Sequence, residues 1–181
     1  IPGIHNSKKV ITAAHLYRMT KPALRFLGPK ILEWATRLWM PLGMKIAVMG
    51  GNIQGCQLAE FLVKRGREVT IVEASNELGT EIVGVMKQRL LSWLDKKGVA
   101  MWTGVKYEEI TDKGLVILNG EGKRQTIEAD QILLALPLSP NHDLWGTLEG
   151  RVPELHMIGD CGEPHRIVHA IADGSRIGHA I

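Results

Sequence analysis

The chain has 181 residues and a formal net charge of +3, with acids and bases mixed along its length. That length holds one large domain or two small ones, and the balanced charge argues against a nucleic-acid surface and leaves no acidic or basic tail. Two cysteines, Cys56 and Cys161, make neither a disulfide framework nor a metal motif and read as reduced thiols of a cytoplasmic protein; no stretch is apolar enough to be a transmembrane segment, and no signal peptide is visible.

The chain opens on Ile1-Pro2-Gly3, which has the character of a mid-chain linker and points to a piece of a longer protein. A short apolar stretch at Val10 and Ile11 precedes a weak helical pattern over residues 13–19. Pro22, Gly28-Pro29 and Pro41 punctuate residues 21–43, where Leu24, Leu27, Ile31, Trp34, Ala35 and Leu38 recur at helical spacing. The pattern predicts a short amphipathic helix that brings Trp34 and Trp39 near one another and suits docking on a neighbouring domain. Lying on a membrane surface is the second reading, disfavoured because the helix is short and modestly basic.

Residues 45–73 carry the most information. The apolar run Ile46-Ala47-Val48-Met49 reaches the turn Gly50-Gly51-Asn52-Ile53-Gln54-Gly55, a helical pattern follows, and a second run, Val69-Thr70-Ile71-Val72, ends on Glu73. Strand, glycine turn, helix, strand and terminal acid, the acid about 20 residues beyond the turn, is the order of a Rossmann-like dinucleotide-binding unit. Glycines let the backbone approach a pyrophosphate, and the helix start offers free N–H groups and partial positive charge. Asn52 takes the place of the middle glycine; asparagine tolerates left-handed backbone, so the turn is expected to survive it. A turn of this shape holding no nucleotide is the alternative, as is a solvated strand-end acid for Glu73.

Residues 81–97 predict a helix with Ile82, Val85, Met86, Leu90, Trp93 and Leu94 on one face, ended by Gly98. A strand at 99–102 follows. The period then changes to short strands at 106–110, 114–118 and 125–127 with polar turns between them, an antiparallel meander. Residues 131–136 read as a buried strand broken by Pro137 and Pro140, residues 155–158 as a last short strand ending at Gly159-Asp160, and residues from Arg166 onward as a helix with Ile167, Ala170, Ile171, Ile177 and Ala180 inward.

With these residues in place the chain resembles a known family. The glycine turn, the acid, the meander, Ala135-Leu136-Pro137-Leu138-Ser139-Pro140-Asn141 and Ile158-Gly159-Asp160 look like the two-dinucleotide-binding flavoprotein fold. Gly55-Cys56-Gln57-Leu58-Ala59-Glu60 and Gly159-Asp160-Cys161-Gly162-Glu163-Pro164-His165-Arg166-Ile167 resemble, more closely, the C-terminal half of multidomain NADH:flavin oxidoreductases, the old yellow enzyme relatives that include 2,4-dienoyl-CoA reductase and enoate reductase. The resemblance implies an α/β, three-layer ββα NAD(P)-binding domain with an antiparallel meander, inserted in a partial FAD-binding domain. Residues 44–137 would be the inserted domain, residues 1–43 a hinge and part of the FAD domain, and residues 138–181 its last segment. The upstream TIM barrel with its FMN, the 4Fe-4S cluster and the FAD domain's own glycine turn would lie in missing domains.

Site roles follow from the same resemblance. Gly50, Gly51, Asn52, Ile53, Gln54 and Gly55 would cradle the pyrophosphate, and Glu73 with Ala74 would meet the adenosine ribose. A 2′-phosphate would be repelled by Glu73, and Ala74-Ser75-Asn76 carries no cation, so NADH is expected over NADPH. Ala135 and Leu136 stand at the return crossing, where Pro137 replaces a glycine usual in the family; a pure hinge is the other reading of that crossing. Gly159 and Asp160 would meet the FAD ribityl chain, with Arg166, Ile167 and Ala170 near flavin and pyrophosphate; Asp160 as a helix N-cap is the alternative. FAD is expected in the full-length protein alone, and the isolated chain is expected to be inactive. No residue is assigned as a catalytic acid or base, no Cys-x-x-Cys is present, and His142, His156, His165, His169 and His179 do not form a metal set. Cys56 is expected to pack as a small residue against the turn. A Rossmann-like domain binding an adenosyl ligand, or a regulatory interaction module without redox activity, is the competing function.

Overall fold

The computed structural model describes residues 1–5, 9–12, 15, 18, 21, 31, 36 and 40–181. Its elements are β1 Val10–Thr12, β2 Lys45–Met49, α1 Ile53–Val63, β3 Glu68–Val72, α2 Gly84–Lys96, β4 Ala100–Trp102, β5 Lys106–Thr111, β6 Gly114–Leu118, β7 Arg124–Glu128, β8 Gln131–Leu134, α3 Asp143–Leu148 and α4 Ile167–Ala180. Most of the amphipathic helix expected over 21–43, Trp34 and Trp39 included, and most of the pattern at 13–19 lie outside the described residues. The chain divides after Leu136 into two units, Ile1–Leu136 and Pro137–Ile181.

In the first unit β2 and β3 are nearly continuous apolar runs, the composition of strands buried on both faces of a parallel sheet. The sheet has five strands in the order β1-β8-β2-β3-β4, every pairing parallel, and β5-β6-β7 form a separate antiparallel meander. The period of two sorts side chains between the layers. Ile46, Val48, Val69, Ile71 and Leu133 join Cys56, Ala59 and Leu62 of α1 and Leu94 of α2. Ala47, Met49, Val72 and Ile132 join Ile110, Leu115, Ile117 and Ile127 of the meander. The result is a three-layer ββα domain, in which each fully buried side chain such as Ile71 or Leu94 contributes about 1.5–3 kcal/mol.

Three expectations are corrected. The helix expected from residue 81 starts at Gly84, behind a turn in which the Ile82 N–H donates to the Gly79 carbonyl. Val85 and Met86 are 72% and 69% exposed, while Leu90, Trp93 and Leu94 face the core as expected. Residues 155–158 form no strand, because a strand needs a ladder partner and none in the second unit pairs with them. Helix α4 forms, and of the residues expected inward Ala170 and Ile177 are half-buried, Ala170 against Gly159, while Ile167 and Ile171 are 80% and 65% exposed and Ala180 is exposed, since no residue of 137–181 is fully buried.

Candidate functional site

Strands β2, β3, β4 and β8 all run in one direction, so their carboxyl ends converge, and that edge is where open parallel sheets bind ligands. The glycine turn lies there. The Gly50 N–H donates to the Val72 carbonyl at 2.8 Å, closing β2 against β3. Gly50 holds φ +107°, a conformation that side chains rarely adopt, and a Cβ there would lie 2.4 Å from the Ala135 oxygen. A Cβ on Gly55 would lie 1.9 Å from the Gly50 oxygen, so the start of α1 presses directly on the turn. On Gly51 it would meet Leu78 Cδ2 at 2.2 Å and Glu73 Cβ at 2.9 Å.

Asn52 does not use left-handed backbone. It is the N-cap of α1 in an extended conformation, φ −69° and ψ −167°, and its Oδ1 accepts from the Gly55 N–H at 3.4 Å. Asparagine is tolerated because it is a good cap. The Ile53 and Gln54 N–H groups, by contrast, have no acceptor among the described residues. They are the orphan donors of a helix start, and they suit an anion such as a pyrophosphate.

Glu73 is half-buried at the end of β3. Its carboxylate accepts from the Gly51 N–H at 2.5 Å and the Ser75 N–H at 2.8 Å. Two carboxylate oxygens offer about four acceptor positions, so two remain for further donors. Ala74 follows, exposed. On the other side Ala135 is held by its N–H to the Met49 carbonyl at 2.8 Å, and Leu136 N would lie 3.2 Å from a Cβ on Gly50, so the crossing forms one wall of the turn. The structure thus brings Gly50, Gly51, Asn52, Gly55, Glu73, Ala135 and Leu136 together, with Ile53 and Gln54 at the helix start.

Sequence reading missed four neighbours. Leu78 packs on Gly51, and the Gly79 N–H donates to the Gly51 oxygen at 2.7 Å, so the loop after Glu73 folds back under the turn. Lys87, reaching from α2, pairs with Glu77 of that loop. Tyr107, on the meander, donates its hydroxyl to the Val72 carbonyl at 2.9 Å. Burial, and after it the Glu73 charge, hold the Tyr107 phenol above its ordinary pKa. No local pattern marks these residues; each contact joins separate elements.

In the second unit Gly159 opens a 3-10 turn, Gly159–Cys161, and a Cβ on it would lie 3.3 Å from Ala170 Cβ. Asp160 is exposed and makes no hydrogen bond within the described residues. The N-cap of α4 is Arg166, without a side-chain bond, so Asp160 does not cap that helix; Ile167 begins it.

Cys56 is fully buried, its thiol on the Gly51 oxygen at 3.3 Å, and burial pushes its pKa up to about 11. It packs; it is no thiolate nucleophile. Among the described residues no group of three or more His, Cys, Asp or Glu is placed to hold a metal, and no helix is long and apolar enough to cross a membrane. A cavity of about 400 Å³ lined by Lys45, Arg67, Lys97 and Glu128 opens at the opposite, amino edge of the sheet, away from this chemistry.

An NADH oxidase of Thermoanaerobacter brockii is 29% identical over 138 residues, 76% of this chain and 21% of that protein. A cinnamate reductase of Clostridium sporogenes is 29% identical over 133 residues, 72% of this chain and 20% of that protein. A solved complex of 2-naphthoyl-CoA reductase with 2-naphthoyl-CoA superposes with a TM-score of 0.77 at 26% identity, over 100% of this chain and 24% of that one. The chain therefore spans about a fifth to a quarter of the length of these proteins. A family model for pyridine nucleotide-disulphide oxidoreductases matches residues 2–174, and the chain belongs to that family.

Proposed function

We propose that this chain is the NADH-binding, electron-entry part of a flavin-dependent oxidoreductase, and that in the whole protein the electrons go on to reduce a conjugated carbon–carbon double bond of an enoate or 2,4-dienoyl-CoA type. The observation that carries it is the convergence of a side-chain-free cradle at Gly50 and Gly55, the unpaired Ile53 and Gln54 N–H groups, and the Glu73 carboxylate on one sheet edge. When bound, NADH would supply a hydride, and FAD would be its acceptor in the full-length protein. The residues here bind and orient. Ile53 and Gln54 donate to the pyrophosphate, Glu73 accepts from the adenosine ribose hydroxyls, and Ala135 and Leu136 wall the turn.

Glu73 repels a 2′-phosphate, and Lys87 is already paired with Glu77, so NADH is the preferred dinucleotide. Cinnamate is itself an enoate, and naphthoyl-CoA is an acyl thioester of an unsaturated ring system; the relatives' names support that substrate class for the whole protein. Residues 44–137 then form the nucleotide domain. Residues 1–43 act as a hinge whose strand β1 lies along β8, and residues 138–181 bring Gly159, Asp160, Arg166, Ile167 and Ala170 to the FAD site. FMN and a 4Fe-4S cluster belong to the domains beyond this chain.

The test is Glu73→Ala, titrated with both dinucleotides. Loss of a hydrogen bond to a charged acceptor is worth about 1.5–3 kcal/mol, so NADH affinity is expected to fall by about tenfold or more while NADPH affinity holds or rises. NADH affinity unchanged, or NADPH the more weakened, would contradict the ribose assignment.

A further inference from the structure

We propose that Tyr107 is a positioning residue for the adenosine ribose, holding through the Val72 carbonyl the strand end that carries Glu73. It rests on the functional reading just given. The Val72 carbonyl accepts twice, from the Tyr107 hydroxyl at 2.9 Å and from the Gly50 N–H at 2.8 Å. One oxygen thus ties together the meander, the end of β3 and the glycine turn. Glu73 is the next residue. Its own N–H donates to the Trp102 carbonyl at 2.8 Å, its carbonyl accepts from Val105 at 3.3 Å, and its carboxylate bridges Gly51 and Ser75. The acid is therefore fixed from β4, from the approach to β5 and from the turn, and Tyr107 fixes the peptide that leads into it.

The hydroxyl is not needed to satisfy the fold. Without it, Val72 keeps Gly50 as donor, so no buried carbonyl is orphaned, and a phenylalanine ring fills the same place among Val72, Val105 and their neighbours. What is lost is the angular restraint on the strand end. A displacement of a fraction of an ångström at the Val72–Glu73 peptide is enough to misplace a carboxylate that must meet two hydroxyls at about 2.7 Å. Tyr107 also remains a donor across the physiological range, because burial and the Glu73 charge both oppose its ionisation.

The experiment compares the wild-type chain with Tyr107→Phe, Glu73→Ala and the double variant, titrated with NADH and NADPH. Tyr107→Phe is expected to weaken NADH about three- to tenfold, to leave NADPH nearly unchanged, and to add nothing to Glu73→Ala, because both changes act on one contact. A thermal midpoint within a few degrees of wild type is expected, since the ring volume is kept. Equal weakening of both dinucleotides, additive losses in the double variant, or unchanged NADH affinity overturns the positioning role. So does a variant that unfolds, which assigns Tyr107 to the fold instead. A wild-type chain that fails to respond to NADH refutes the functional reading itself and takes this inference with it; normal wild-type affinity beside an indifferent variant refutes Tyr107 alone.

Discussion

Gly55→Ala is the sharpest structural perturbation of the turn. The added methyl would lie 1.9 Å from the Gly50 oxygen and 2.8 Å from the carbonyl carbon, and the atom it meets is backbone, which cannot swing aside. Real Cβ contacts lie beyond about 3 Å, so either α1 retreats by roughly 1 Å or the turn opens. Neither movement is free. Gly50 is held by Val72 and wedged against Ala135, while Cys56 and Ala59, on the inner face of α1, are fully buried. Overpacking of this kind costs about 1–3 kcal/mol, which lowers the melting midpoint of a chain this size by roughly 3–10 °C. The same movement shifts the Ile53 and Gln54 N–H groups away from the pyrophosphate, so NADH affinity is expected to fall by about tenfold or more. Thermal unfolding and NADH titration read the two effects. Gly84→Ala is the control: a Cβ there meets nothing within 4 Å, and its midpoint is expected to hold or rise slightly. A Gly55→Ala protein that melts and binds like wild type would refute the close approach on which the site is built.

Two other outcomes follow from ionisable groups. With Cys56 buried and its thiol pKa pushed up to about 11, a thiol reagent at pH 8 should label Cys161 alone in the native chain and both cysteines after denaturation; rapid native labelling of Cys56 would contradict the packing. Asp130 accepts from the Lys45 N–H at 2.8 Å, and that bond holds its carboxyl below the ordinary value. A folded pKa below the unfolded one gives stability that is present above about pH 4 and is lost as pH falls through the lowered value. Asp130→Asn should therefore lower the urea midpoint at pH 7, with the gap to wild type closing in acid; a gap independent of pH would contradict the assignment.

The parallel strands were legible because Ile46–Met49 and Val69–Val72 are too apolar for anything but two-sided burial, and the glycines and Glu73 carry their chemistry in their spacing. The meander was legible from its polar turns. Residues 155–158 misled because a short apolar run says nothing about whether a ladder partner exists. Ile167 and Ile171 misled for a related reason: periodicity marks an apolar face, not what covers it. The role of Asn52 was misjudged because capping and left-handed tolerance belong to the same residue type. Leu78, Lys87 and Tyr107 were invisible because their contacts with Gly51, Glu77 and Val72 are tertiary, set by how the loop after Glu73 and the meander fold back on the turn.

The most direct measurement is a titration of the chain's tryptophan fluorescence, with Trp102 bonded through its carbonyl to the Glu73 N–H, against NADH, NADPH and S-adenosylmethionine. A saturable response to NADH, a weaker one to NADPH and none to the methyl donor is expected. A saturable response to S-adenosylmethionine with none to NADH would contradict the assignment of the glycine turn.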